Sequence, residues 1–196
     1  MTARLLIVGP QGSGKGTQGV RIAEAFGVPA VSTGDVFRAN IAGGTELGKQ
    51  VQAIIEAGNL VPDELTSEVV RDRLSQDDAA NGFLLDGYPR NLGQVADLDA
   101  FLDSRDEQLD AVIELKVPRE ESIARLKLRA AEQGRTDDTE EVIAKRLAIY
   151  ESETAPILGV YAERGLVISI DGVGSLDEIT ERIVTGLIAR GLTPQS

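Results

Sequence analysis

The string Gly9-Pro10-Gln11-Gly12-Ser13-Gly14-Lys15-Gly16-Thr17 follows directly on the apolar run Leu5-Leu6-Ile7-Val8. The order is strand, glycine-rich turn, helix start, with one lysine closing the turn. It commits the chain to a fold in which a β-strand hands its end to the N-terminus of a helix. Glycines let the backbone turn until several N–H groups face one anion, and the helix N-terminus adds its partial positive charge. Lys15 then reaches terminal phosphates, and a hydroxyl such as Thr17 ligates Mg²⁺. The strict pattern has Ser or Thr immediately after the lysine, whereas here Gly16 intervenes. The segment reads as a phosphate cradle for a nucleotide.

What else the chain can do is narrowed by what it lacks. It has no histidine, so a Ser-His triad, His-ligated zinc and His-based phosphotransfer are excluded. It has no cysteine, hence no disulfide and no thiolate metal site. With 32 acidic against 20 basic residues the net charge is −12, which repels a nucleic-acid backbone and leaves no expectation of DNA or RNA binding. An acidic protein that binds phosphates must gather its cations locally. Of the basic residues 15 are arginine, whose planar fork suits phosphate oxygens. No apolar run approaches the roughly 20 residues of a membrane span. Met1-Thr2-Ala3-Arg4 runs straight into a strand, so no leader is expected, and the expectation is a cytoplasmic location.

A length of 196 residues suits one α/β domain. Strand-like runs lie at 5–8, near 28–31, and at 82–85, 111–117 and 166–170. Helical spacing connects Leu47, Val51 and Ile54, then Leu65 and Val69, then Leu176, Ile179, Ile183 and Leu187. Ser175 with Glu178 forms a capping box before the last helix. Alternating strands and helices predict a parallel sheet covered on both faces, with ligands beyond the carboxyl ends of its strands. Residues 34–75 contain no strand and are too long for a simple crossover, so part of them is expected to form a helical insert. Gly43-Gly44 and Gly58-Asn59 punctuate it. A second interruption is expected at Arg129–Asp138, followed by a helix from Glu140 to about Glu163 kinked at Pro156. The tail from Gly191 to Ser196 is expected to fray.

Phe83-Leu84-Leu85-Asp86 is an apolar strand ending in a carboxylate. Such an aspartate can hold Mg²⁺, directly or through water, or simply cap a turn. The continuation Gly87-Tyr88-Pro89-Arg90 sets a glycine, a proline turn and an arginine at that strand's end. Asp171-Gly172-Val173-Gly174 matches a GTPase-style DxxG but reads equally as a strand–helix turn.

Taken together, Gly14-Lys15-Gly16-Thr17-Gln18, Ser32-Thr33-Gly34-Asp35, Gly82 through Arg90 and Arg135-Thr136-Asp137-Asp138 resemble adenylate kinase, in that family's order and over nearly the whole chain. The resemblance implies a P-loop NTPase-type α/β fold: a parallel five-stranded sheet with helices on both faces, a helical NMP-binding insert and a short lid. It implies a single domain with core 1–31, 62–128 and 139–196, insert 32–61 and lid 129–138. The implied activity is Mg²⁺-dependent transfer from ATP to AMP giving two ADP, by a monomer serving adenine nucleotide homeostasis.

Residue by residue, the resemblance has Gly12, Ser13, Gly14, Lys15, Gly16 and Thr17 wrap the ATP phosphates. Arg125 and Arg129 face ATP, and Gly174 passes its backbone beside the adenine. Thr33, Arg38, Asn59, Leu60 and Val61 take AMP from the insert. Gly87, Tyr88, Pro89 and Arg90 hold it from the core, and Gln94 reads its adenine with one donor and one acceptor. Arg135 and Arg146 clamp the AMP phosphate and the transition state. The catalytic set is Lys15, Arg90, Arg129, Arg135 and Arg146. Mg²⁺ is held by Thr17 and, through water, Asp86.

Longer relatives carry a larger lid holding zinc through Cys and His; this chain has neither residue, so that zinc is excluded. Two alternatives stand beside this reading. One is a UMP/CMP kinase of the same fold, disfavoured by Thr33 with Gln94. The other is a GTPase-like switch, disfavoured by the lack of an Asn-Lys-x-Asp string.

Overall fold

The computed structural model describes residues 2–134 and 139–195. The apolar runs become β1 (Ala3–Val8), β2 (Ala30–Ser32), β3 (Gly82–Asp86), β4 (Ala111–Lys116) and β5 (Val167–Asp171). They hydrogen-bond in the order β2-β3-β1-β4-β5, every pair parallel. Between them come helices α1 (Lys15–Phe26), α2 (Thr33–Ala42), α3 (Glu46–Glu56), α4 (Asp63–Leu74), α5 (Leu92–Asp103) and α6 (Arg119–Gln133). Helices α7 (Glu140–Ile149), α8 (Ala155–Glu163) and α9 (Leu176–Ala189) complete the described residues.

Side chains alternate across a strand, so β1 feeds two cores. Leu5 and Ile7 pack with Ile22 and Phe26 of α1 and with Ile179, Ile183 and Leu187 of α9. Leu6 and Val8 face the other way, onto Val70 and Leu74 of α4, Leu98 of α5 and Ile157 and Tyr161 of α8. Burial on both faces is why β3 reads as an unbroken apolar run. The register pairs Ile7 with Asp86, so the chain leaves β1 for the glycine-rich turn beside the carboxylate that ends β3.

Two smaller clusters stand apart from these cores. Phe37 of α2, Val51 and Ile55 of α3 and Val61 bury one another, with Leu47, Ile54, Leu65 and Val69 around them. The helical spacing of that segment therefore serves a private core. Leu126 of α6 joins Ile143 and Leu147 of α7 in the other cluster.

Three local expectations are corrected. The stretch after Glu140 is not one helix kinked at Pro156. It is α7, a π-helical turn at Tyr150–Thr154, and α8 with the proline in its first turn. Proline has no N–H to give one turn back, so an α-ladder cannot run through it, and the wider turn falls just ahead of it. Helix α6 continues through Arg129–Gln133 to Gly134, which caps it in the left-handed conformation (φ 60°). The intervening Ala, Glu and Gln are strong helix formers with no breaker among them. The C-terminal tail is tied down: Leu192 is buried in the α1–α9 core, and the Gln195 N–H donates to the Ala25 carbonyl at 2.8 Å. The expected helical spacing of Leu176, Ile179, Ile183 and Leu187 falls within α9, where Leu176 in the first turn is 50% exposed and the other three are buried.

Candidate active site

Gly12 and Gly14 hold φ of 79° and 86°, conformations that L side chains rarely adopt. A Cβ on Gly12 would also collide with the Ser122 carbonyl and Leu126, so the turn closes onto α6 only with glycine there. Gly14 caps α1 with no side chain bonded to its first turn, and that turn carries no acidic residue. The helix N-terminus therefore keeps its partial positive charge toward the open side. Ser13 is turned inward. Its N–H donates to the Pro10 carbonyl at 3.1 Å, and its hydroxyl is buried with no partner among the described residues.

Lys15 emerges from this turn and donates to Asp86 Oδ1 at 2.5 Å. Both side chains are largely buried. A methyl on Gly16 would lie 3.6 Å from the other carboxylate oxygen, Asp86 Oδ2. Thr17, one residue on, is exposed in the first turn of α1. A hydroxyl and a carboxylate at one helix start are hard oxygen donors, the set that Mg²⁺ prefers with water completing its shell.

One cavity joins this turn to the α2–α3 segment. Gly9, Gln11 and Lys15 line it from the turn, Arg38 and Asn59 from the α2–α3 segment, and Arg90 and Arg146 from the core and α7. Thr33, Leu60, Val61, Gly87, Pro89 and Gln94 line it as well. Arg90 Nε donates to the Gly87 carbonyl at 2.7 Å, and Thr33 Oγ1 donates to the same oxygen at 3.1 Å. Gly87 has φ 88°, and a methyl there would press on Thr33 Oγ1 at 2.8 Å and Arg90 Nη2 at 2.9 Å. The glycine lets both side chains converge on one carbonyl.

Arg38 bonds Asp35 at 2.8 Å, and Arg146 reaches across to the Ile55 carbonyl of α3 at 3.0 Å. Burial pushes the Arg90 guanidinium below its ordinary range; Asp86 pulls it back up, and the nearby charges of Arg146 and Arg38 push it down again. Arg90 thus feels the charges of Arg38 and Arg146, and all three line a single cavity in a chain of net charge −12. Such an arrangement is relieved by a multivalent anion.

Gln94 is 2% exposed, and its amide is held at both ends: Oε1 accepts from the Arg90 N–H at 2.8 Å, and Nε2 donates to Asp63 Oδ1 at 2.9 Å. Tyr88 lies elsewhere. Its ring packs in the core under β3, and its hydroxyl meets Ser67 Oγ at 2.9 Å, so its side chain does not line the cavity. Arg135 lies outside the described residues.

On the other side of the turn, Arg125 donates to the Ser13 carbonyl at 3.2 Å and the Gly172 carbonyl at 3.0 Å. It ties the glycine-rich turn to the loop carrying Gly174. Val173 and Leu176 flank Gly174 and are both exposed. Arg129 sits one turn further along α6.

Several residues of the site carried no signal in the sequence. Asp63 meets both Gln94 and Asn91, the cap of Gln94's own helix, only because α4 and α5 pack together. Thr154, in the π turn, donates to the Arg90 carbonyl at 2.7 Å. A π turn beside a cavity is a recurrent functional feature, but it is not written in residue types.

The family model described as adenylate kinase matches residues 7–166. The chain is 56% identical over 184 residues to an adenylate kinase of Kocuria rhizophila, covering 94% of this chain and 98% of that protein. It is 57% identical to those of Leifsonia xyli, over 97% of this chain and 96% of that protein, and Clavibacter michiganensis, over 98% and 96%. On the matched residues and on the cradle, carboxylate and arginines that the fold assembles, the chain belongs to the adenylate kinase family.

Proposed function

We propose that the chain catalyses reversible transfer of the γ-phosphoryl group of ATP to AMP, giving two ADP. The observation that carries this is the shared cavity: a phosphate cradle with its lysine on one side, Arg38, Arg90 and Arg146 on the other. In the transfer, the bond between the γ-phosphorus and the bridging oxygen of ATP breaks, and a phosphate oxygen of AMP bonds to that phosphorus. The acceptor is already an oxyanion, so no base has to remove a proton, consistent with a chain that has no histidine. Catalysis is then positioning and charge stabilisation on the equatorial oxygens.

In this reading Gly12, Ser13, Gly14, Lys15, Gly16 and Thr17 wrap the ATP phosphates, and Lys15 exchanges Asp86 for the moving phosphoryl group. Thr17 and Asp86 would hold Mg²⁺, which when bound spreads the negative charge of the phosphates. Arg125 and the exposed apolar pair beside Gly174 form a wall for the ATP base, with Arg129 toward its phosphates. Residues 32–61 act as the acceptor arm, with Thr33, Arg38, Asn59, Leu60 and Val61 on AMP. Gly87, Pro89, Arg90 and Gln94 hold AMP from the core. Tyr88 contributes by fixing that loop through its buried ring.

Arg146 and Arg135 complete the clamp, and residues 129–138 act as the lid, part of it outside the described residues. Closing arm and lid excludes water, which would otherwise take the phosphoryl group. One chain carries both halves of the cavity, so the reading needs no second subunit. A cytoplasmic place accords with an acidic chain; among the described residues no helix is long and apolar enough to cross a membrane.

The test is ADP formation from ATP with AMP, UMP, CMP or GMP as acceptor. AMP is expected to give the highest kcat/KM. Faster turnover with UMP or CMP would assign the chain to pyrimidine monophosphates instead.

A further inference from the structure

Asp63 is the first residue of α4 and is half-buried. Its Oδ1 accepts two hydrogen bonds, from Asn91 Nδ2 at 2.9 Å and from Gln94 Nε2 at 2.9 Å. Each of those amides has its oxygen on a backbone donor. Asn91 Oδ1 accepts from the Gln94 N–H at 2.9 Å and caps α5, and Gln94 Oε1 accepts from the Arg90 N–H at 2.8 Å. A carboxylate only accepts and a backbone N–H only donates, so one orientation of each amide satisfies both neighbours. Turned by half a rotation, the Gln94 oxygen would face the Asp63 carboxylate and its NH₂ would face the Arg90 N–H. Two attractive contacts would become two repulsive ones around a side chain that is itself buried.

The locked amide has one N–H and one oxygen lone pair left over for the cavity that Gln94 lines. Adenine offers N6–H to the lone pair and N1 to the N–H. Guanine in the same seat offers O6 and N1–H, the reverse order. A freely turning glutamine would serve either base; a locked one serves adenine and sets like against like with guanine.

We propose that Asp63 is the positioning residue for base selectivity, acting through Gln94 without touching the substrate. The inference rests on the reading of Gln94 as the face that meets the acceptor base. A site built to pair one hydrogen-bonding edge rejects the wrong edge far more strongly than shape alone can. The charge of Asp63 is also favourable at the start of α4, so its removal costs some stability, and the test must separate the two effects.

The experiment is the ratio of kcat/KM for AMP to that for GMP in the unaltered protein, Asp63→Ala and Asp63→Asn. Asparagine keeps an oxygen that can accept from both amides but loses the charge. Asp63→Ala is expected to lower the AMP:GMP ratio at least about tenfold, chiefly through a higher KM for AMP with some gain for GMP. Asp63→Asn is expected to stay within about threefold of the unaltered ratio. A merely structural role would lower both acceptors together and leave the ratio where it was, and that result overturns the proposal. So would Asp63→Asn falling as far as Asp63→Ala.

If the unaltered protein does not use AMP, the reading of the function fails instead, and the two failures are told apart by that control. Should Asp63→Ala not fold, side-chain amide exchange of Gln94 in the unaltered protein carries the test. One proton is expected to be protected without ligand and the second on adding AMP. Both exchanging at the solvent rate without ligand contradicts the lock.

Discussion

Lys15 and Asp86 share a hydrogen bond across the end of the sheet. On the proposed reading Lys15 turns to the phosphates of a bound triphosphate, and Asp86 would then help to hold Mg²⁺. Lys15→Met strands the largely buried Asp86 carboxylate, so the thermal midpoint should fall while the fold persists, and kcat should fall by about 10³-fold or more, the scale for removing a group aimed at developing charge. A loss below tenfold would remove Lys15 from the transition state. On the proposed reading Arg90 serves the acceptor half, so Arg90→Ala is expected to raise KM for AMP by well over tenfold and leave ATP affinity within about twofold. Steady-state kinetics with each substrate varied in turn checks this.

At this scale much of the cavity's lining was legible. Lys15, Thr33, Arg38, Arg90 and Gln94 each sit in a short string whose chemistry is local. Asp63 was not, because its role exists only where α4 meets α5, with Gln94 distant in sequence. Tyr88 was legible as part of a motif, but a string does not say which way a ring points, and the ring points into the core.

Among the elements, the strands were readable because a parallel sheet buried on both faces must be written as apolar runs. The turns at Gly44 and Gly58 were readable because both glycines take positive φ, 64° and 77°. The end of α6 was misplaced because helix-forming residues continue past Arg129 until Gly134 stops them. The π turn was invisible, since its cause lies in the next element's proline and its use lies in a contact with Arg90. That contact yields a prediction for the element. Thr154→Val keeps the shape, removes the bond to the Arg90 carbonyl, and should cost about 1–2 kcal/mol in chemical denaturation. It should also raise KM for AMP more than KM for ATP; an equal effect on both would mean the turn serves stability alone.

For the whole molecule, all three tyrosines are displaced in one direction by burial. Tyr88 is pushed up, Tyr150 is raised to about 12, and Tyr161 is raised further. Unfolded tyrosine titrates near pH 10. The folded state therefore holds its phenol protons where the unfolded state has released them, so these groups' contribution is complete below about pH 10 and is lost as pH climbs through 10 toward 12 and beyond. Denaturation midpoints should fall over that range, and phenolate absorbance should appear together with unfolding. Three phenols titrating reversibly near pH 10 in the native protein would contradict the burial.

At the same scale the glycine-rich turn, the α2–α3 segment and Arg38, Arg90 and Arg146 line one cavity, which the proposed function fills with two nucleotides. A bisubstrate analogue, two adenosines linked through five phosphates, tests that directly by titration calorimetry. The account predicts one analogue bound per chain, displaced competitively by ATP and by AMP alike, and weakened strongly by Arg90→Ala. Two analogues per chain, or binding that AMP does not affect, would contradict it.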